Sequence, residues 1–353
     1  MNALGAVSRL MVCSVIVVLL AGCGAGAAPT PAPATASPAT PTQSSVPSVA
    51  VPSLSAPTPT VVVTNDVAYE SSNSAFTPGV LDVYASTKVG PRPVVVMLPA
   101  GDKRDYREHA GKVAALGFVV FVPNWGVGMA PDGPGYDEIL ATGSQAACAV
   151  EFARANASKY GGDPATMILF GHSAGASTAS IVAFARPEPS AGCLASAPLG
   201  EIDALVTWDG EWLAQTTYAG WDERIAADPR LFDALSPWTD LPKHKDLKVV
   251  MLSEAEPNAD YNYERPLPDA AAMKAFFGPR DPSGVLRAQL EANGALGDGV
   301  LDLLEAQQLL FSFLKAQGNA VTLDLMPGTN HTTIGVDGWP VFLAAFEKAA
   351  AKD

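Results

Sequence analysis

The chain has 353 residues, 48% of them hydrophobic and 16% charged, which excludes a disordered or coiled-coil protein and allows one large domain with a sizeable core. Its formal net charge is −14, and nothing in it supplies the basic patch that phosphate binding needs, so no nucleic-acid partner is expected.

The first segment, "MNALGAVSRLMVCSVIVVLLAGCG", has Arg9 as its only charge, then an apolar core, then small residues. That is the layout of a secretory signal, over residues 1–22. The apolar stretch falls short of the ~20 residues needed to span a bilayer. Its end, "LAGC" at Leu20 to Cys23, resembles the bacterial lipoprotein box. The resemblance implies cleavage before Cys23 and acylation of its thiol, which would hold an exported protein at the outer face of the cell membrane; plain secretion is the alternative. Residues 23–60 are almost entirely Ala, Pro, Thr, Ser, Val and Gly, a composition that builds no core and reads as an extended tether.

From about Val61 to the end at 353, short apolar runs alternate with helical stretches. Strands are predicted near Val67–Tyr69, Val80–Tyr84, Val94–Leu98, Val119–Val122, Met167–Phe170, Leu205–Thr207, Val249–Leu252 and Val321–Leu325. Nearly apolar strands separated by helices imply a mostly parallel eight-stranded sheet covered by helices on both faces. Residues 257–318 make too long an interval for a loop in a compact domain, so a helical insert is expected before the last strand. Its second helix, "GVLDLLEAQQLLFSFLKAQG", carries an apolar stripe of Leu303, Ala306, Leu310 and Phe313. The stripe suits packing on the core or service as a lid or acyl-pocket wall, and both readings stand. Cys148 and Cys193 remain in the mature chain; an exported protein meets oxidising conditions, so a disulfide is expected, with two buried free thiols as the plainer alternative.

The sequence "LFGHSAGAST" at 169–178 sits between an apolar strand and a helix of small residues. Strand, G-x-S-x-G, then helix is the context of a nucleophile elbow, with Ser173 as nucleophile. So sharp a turn strains the serine backbone and crowds positions 171 and 175, which are both glycine. It also sets the N–H of Ala174 at a helix start, where it can stabilise negative charge. A serine hydroxyl needs a base to take its proton. Of the four histidines, His172 points away on the elbow, His109 lies in an early helix and His244 sits in the charged "PKHKD". Only His331, in "LMPGTNHTTIG" after the last strand, sits where a loop at the strand ends reaches Ser173.

The acid that orients the imidazole should lie between 173 and 331, in the chain order Ser, acid, His. "KVVMLSEAEPNAD" offers Glu256 as first choice, then Glu254 and Asp260; Asp209 and Glu211 in "TWDGEW" after the preceding strand also qualify. A second oxyanion donor is expected from "VVVMLPAGDKRDY", at the N–H of Ala100 or Gly101, since Pro99 has none to give.

These segments resemble the α/β-hydrolase superfamily, and within it the carboxylesterase and lipase-like branch that also holds kynurenine formamidases and dienelactone hydrolases. "YGGDPATMILFGHSAGA" (160–176) is similar to that branch almost throughout, with "VVVMLPAGD" at the oxyanion-loop position, "SEAEP" at the acid loop and "GTNHTT" at the histidine loop. The likeness covers about residues 61–353 apart from the insert. Two departures stand out: Pro99-Ala100-Gly101-Asp102 replaces the usual H-G-G-G run, and the acid would be glutamate where aspartate is usual. A weak echo of a calcium loop, Asp298-Gly299 and then Glu305, has Gly294 and Leu296 at its early ligand positions, so helix capping by Asp298 explains it better.

The resemblance implies a serine ester hydrolase acting through an acyl-enzyme, with no cofactor; an apolar insert over the site would suit esters of short to medium acyl chains. Amide or lactone hydrolysis on the same residues is the alternative, and a non-catalytic binding module on the same fold is the reading from another class.

Overall fold

The computed structural model describes residues 60–352 apart from 72–78, 88–89, 127–134, 211–223, most of 225–229, 236–239, most of 256–299 and residue 302. The signal segment, Cys23, nearly all of the tether, and Glu256, Asp260, Glu211 and Asp298 lie outside the described residues. Among the described residues no helix is long and apolar enough to cross a membrane.

Eight strands form one sheet: β1 (Val61–Ala68), β2 (Val80–Ser86), β3 (Arg92–Leu98), β4 (Val119–Pro123), β5 (Gly162–His172), β6 (Ala204–Trp208), β7 (Lys248–Glu254) and β8 (Val321–Met326). Their spatial order is β1-β2-β4-β3-β5-β6-β7-β8. The pairings β1/β2 and β2/β4 are antiparallel and all the rest are parallel. The eight predicted apolar runs fall on these eight strands. β1 starts well before its predicted Val67, because it is an exposed edge strand that backbone pairing rather than burial extends.

The helices are α1 (Arg107–Leu116), α2 (Tyr136–Asn156), α3 (Ala174–Ser180), α4 (Arg230–Leu235), α5 (Leu303–Gln317) and α6 (Gly338–Ala350). Side chains alternate across the central strands and feed two cores. Val94, Val96 and Leu98 of β3, with Met167 and Leu169 of β5, pack with α2 and α5 on one face. Val95, Met97, Ile168 and Phe170 pack with α1 and α6 on the other. Burial on both faces is why these strands read as continuous apolar runs.

Between the two readings of the 303–317 helix, the structure selects the core. Leu303, Ala306, Leu310 and Phe313 are all buried, and α5 packs against β7 and β8 as the crossover helix that joins them. What precedes it, 256–302, is described only at a few residues, where Arg265–Pro266 pair antiparallel with Val300–Leu301.

Cys148 of α2 and Cys193 form a disulfide with their Cα atoms 5.5 Å apart. It ties α2 to the segment that runs beside the end of β1, where Leu194 N–H donates to Tyr69 O at 2.9 Å. β1 carries one extra residue between Thr64 and Val67, a bulge in which Asp66 adopts φ 54°. Its N–H donates to the side chain of Asp82 at 2.9 Å.

Candidate active site

β5 ends by handing successive residues to opposite faces: His172 belongs with the α1/α6 side, and Gly171 with the α3 side. The chain then reverses at Ser173, which takes φ 53° and ψ −124°, a conformation that only a strongly determined site holds in a residue with a side chain. The turn is fixed from β6, whose last carbonyl, Trp208 O, accepts the Ser173 N–H at 2.9 Å. A Cβ at position 171 would run into the Gly175 carbonyl. One at 175 would run into the carbonyls of Leu98 and Pro99 at the end of β3, so this second glycine answers to a neighbouring strand rather than to its own turn.

His331 comes from the loop after β8. Asn330 builds that loop: its Oδ1 accepts the N–H groups of Thr332 at 3.2 Å and Thr333 at 2.7 Å, and its own N–H donates to Thr333 O at 3.1 Å. The imidazole is 5% exposed, and its Nε2 stands 3.0 Å from Ser173 Oγ. Sequence reasoning paired these two residues across 158 positions, and the structure brings them together.

The carboxylate beside the other ring nitrogen is that of Asp209, whose Oδ2 lies 3.4 Å from His331 Nδ1. Glu256, the first choice from sequence, lies outside the described residues. Asp209 follows directly on β6, the strand next to β5, and its left-handed backbone (φ 46°) turns its side chain toward the imidazole. It is fully buried, and its Oδ1 accepts the N–H of Glu254 at 3.1 Å. Glu254, at the end of β7, thus meets Asp209 through its backbone. Gly210 O accepts from the Gln307 side chain of α5, which supports the acid loop from behind.

The two loop candidates for an oxyanion donor separate. Ala100 N–H is turned inward and donates to Tyr106 Oη at 3.3 Å, while Gly101 N–H has no hydrogen bond among the described residues. Ala174 opens α3, where the first N–H has no acceptor within its own helix. The loop itself is anchored on both sides: Trp125 Nε1 donates to Pro99 O at 3.1 Å, and Lys103 N–H donates to Asn124 Oδ1 at 3.1 Å. The buried Lys103 ammonium pairs with Asp82 and, at 2.9 Å, with Asp66.

Sequence reasoning passed over Tyr106 and the part that His172 plays. The Tyr106 hydroxyl bonds His172 Nδ1, and the His172 ring stacks on Trp208 with centroids 3.9 Å apart. Burial, and after it the neighbouring His331 and His109, holds His172 far below the usual histidine range, so its ring is neutral. The donor atoms of His172, Asp209 and His331 lie within 4.8 Å of one another. Of these, His331 Nε2 is directed at Ser173 Oγ, and His172 Nδ1 is engaged by Tyr106.

No protein-family model matches the chain, and no curated protein matches its sequence. Its fold is found among solved structures. Esterase B from Lactobacillus rhamnosis superposes with a TM-score of 0.55 at 15% identity, over 82% of this chain and 85% of that one. The butyrate-bound esterase Est2 of the planctomycete Thermogutta terrifontis gives 0.52 at 15% identity, over 83% and 93%. A truncated carbohydrate esterase from gut microbiota gives 0.51 at 16% identity, over 84% and 98%. The chain thus has the mostly parallel eight-stranded α/β fold of these esterases, with Ser173, His331 and Asp209 gathered where its central strands end.

Proposed function

We propose that this protein is a serine hydrolase of carboxylic esters. One observation carries the reading: a hydroxyl on a strained turn, 3.0 Å from an imidazole whose far nitrogen faces a fully buried carboxylate at 3.4 Å. A binding module has no physical need for that alignment. The esterase neighbours support it at the level of fold.

In this mechanism Ser173 Oγ attacks the acyl carbon while His331 Nε2 takes its proton. Asp209 holds the ring so that Nδ1 carries the hydrogen, and it stabilises the imidazolium. The N–H groups of Ala174 and Gly101 receive the oxyanion; each such donor is worth about 3 kcal/mol in the transition state. Collapse expels the alcohol, which leaves with the proton from Nε2. Water, deprotonated by the same nitrogen, then releases the acid from Ser173. Asp209 serves as the acid in this reading because it is the carboxylate beside His331 among the described residues, which do not include Glu256. Gly101 is preferred to Ala100 because the Ala100 N–H is already used.

Esters of short to medium acyl chains are the proposed substrates, with amides and lactones as the alternative on the same residues. The lipoprotein-like "LAGC" supports anchoring through Cys23 at the outer face of the membrane. A fluorophosphonate probe tests the hydrolase reading directly: Ser173 should label covalently and the Ser173→Ala variant should not. A wild type as inert as that variant would return the fold to a binding role.

A further inference from the structure

Two groups from the segment after β3 and one from the end of β5 form a hydrogen-bonded line. Ala100 N–H, in the loop after β3, donates to Tyr106 Oη at 3.3 Å. With a lone pair so occupied, the Tyr106 proton is left for His172 Nδ1. His172 is adjacent to Ser173, lies flat on Trp208, the residue before Asp209, and stands 5.0 Å from the His331 ring, centroid to centroid. Tyr106 and His172 are both buried, 6% and 5% exposed, so this line is screened from water and cannot be re-formed by solvent when a member is lost. Neither residue is exposed, but Tyr106 bonds the loop of Ala100 and His172 lies beside the His331 ring.

We propose that Tyr106 and His172 are a positioning pair that sets the loop after β3 against the elbow, turning Ala100 N–H inward and leaving Gly101 N–H as the loop's oxyanion donor. The pair acts through the loop and not on substrate, and the proposal rests on the hydrolase reading given above. The neutral state of His172 suits such a pair, since Nδ1 must stay unprotonated to accept from Tyr106, and a second cation beside His331 would oppose the imidazolium that forms there. Burial enforces that state.

The test uses the purified full-length protein, p-nitrophenyl butyrate as substrate and fluorophosphonate end-point titration to count competent sites. Tyr106→Phe and His172→Phe should each lower kcat per titrated site about 10- to 100-fold, the scale of a small misplacement of a catalytic group. KM should stay within about twofold, since the lost interaction is made only in the transition state. The double variant should fall no further than either single one, because the two residues act as a unit. His172→Asn, whose Oδ1 stands near the place of Nδ1, should recover most of the rate although it lacks the ring that stacks on Trp208. An unchanged kcat per site in Tyr106→Phe, losses that multiply in the double variant, or equal rates for His172→Phe and His172→Asn would overturn the proposal. The last comparison holds if Tyr106→Phe does not fold. An active wild type with unaffected variants sinks this proposal alone, whereas a wild type that neither labels nor turns over removes the hydrolase reading and the proposal with it.

Discussion

Asp209→Asn isolates the electrostatic part of the site. Asparagine has the same shape, and its oxygen still accepts the Glu254 N–H that now meets Oδ1 at 3.1 Å. The amide nitrogen then faces His331 Nδ1, which selects the tautomer with the proton on Nε2, and a protonated Nε2 cannot take the Ser173 proton. In the wild type the carboxylate lies 3.4 Å from the ring that becomes positive. At an effective dielectric constant of about 20, that separation corresponds to ~5 kcal/mol of attraction to the imidazolium. At about 1.4 kcal/mol per decade, the loss is between three and four orders of magnitude in kcat. The measurement is steady-state hydrolysis of p-nitrophenyl butyrate beside Glu256→Ala, with thermal melts to show that both variants fold. Asp209→Asn should fall about 10³- to 10⁴-fold in kcat, while Glu256→Ala keeps near-normal turnover. The reverse pattern would refute the assignment of Asp209.

Other expectations concern stability and location. The Cys148–Cys193 bridge closes a separation of 45 residues, for which loop-closure entropy gives about 4 kcal/mol; replacing both by serine should lower the urea midpoint accordingly and leave kcat/KM unchanged, because neither touches the triad. His109 is held at about 4, mainly by burial among Tyr106, Trp208, Trp339 and Phe342. Its folded value lies below the ordinary 6.5, so between the two the unfolded chain binds more protons. The stability it supports is complete above the unfolded value and drains as pH falls toward the folded one, by about 3 kcal/mol at pH 4.5. Unfolding measured at pH 7.5 and 4.5 should therefore show a smaller loss in His109→Phe than in the wild type; equal losses would contradict this. Cys23→Ser should release the protein from the detergent phase in Triton X-114 partitioning, and unchanged partitioning would exclude a lipid at that position.

What the sequence made legible is what local pattern encodes. Apolar runs marked the central strands, because burial on both faces leaves little polar interruption there, whereas the edge strand β1 showed only its last residues. The glycines at 171 and 175 marked the elbow, and His331 followed from chain order. The acid was legible only as a set of alternatives. The β7 end holds more carboxylates than "TWDG", and nothing local says that β6 lies next to β5 or that residue 209 has a left-handed backbone. Aspartate followed by glycine at the close of the apolar run "ALVTW" was the available signal. The stripe on α5 was ambiguous for another reason: an amphipathic helix shows the same face whether a sheet or a pocket meets it. Tyr106 was invisible because His172, 66 positions along the chain, meets it only through the fold.

The kink at Asp66 has a bearing on how copies of this protein coexist. Among the described residues no strand pairs with the outer edge of β1, and Val62 and Val63 are exposed along it. Such a border invites a stray chain to add itself as a ninth strand. The extra residue breaks the run of regular pairing after Thr64, and the buried Lys103 clamps the kink from behind, so an incoming chain finds only a short straight template. Straightening β1 by deleting one residue at 65–66 would lengthen that template and expose the molecule to self-association.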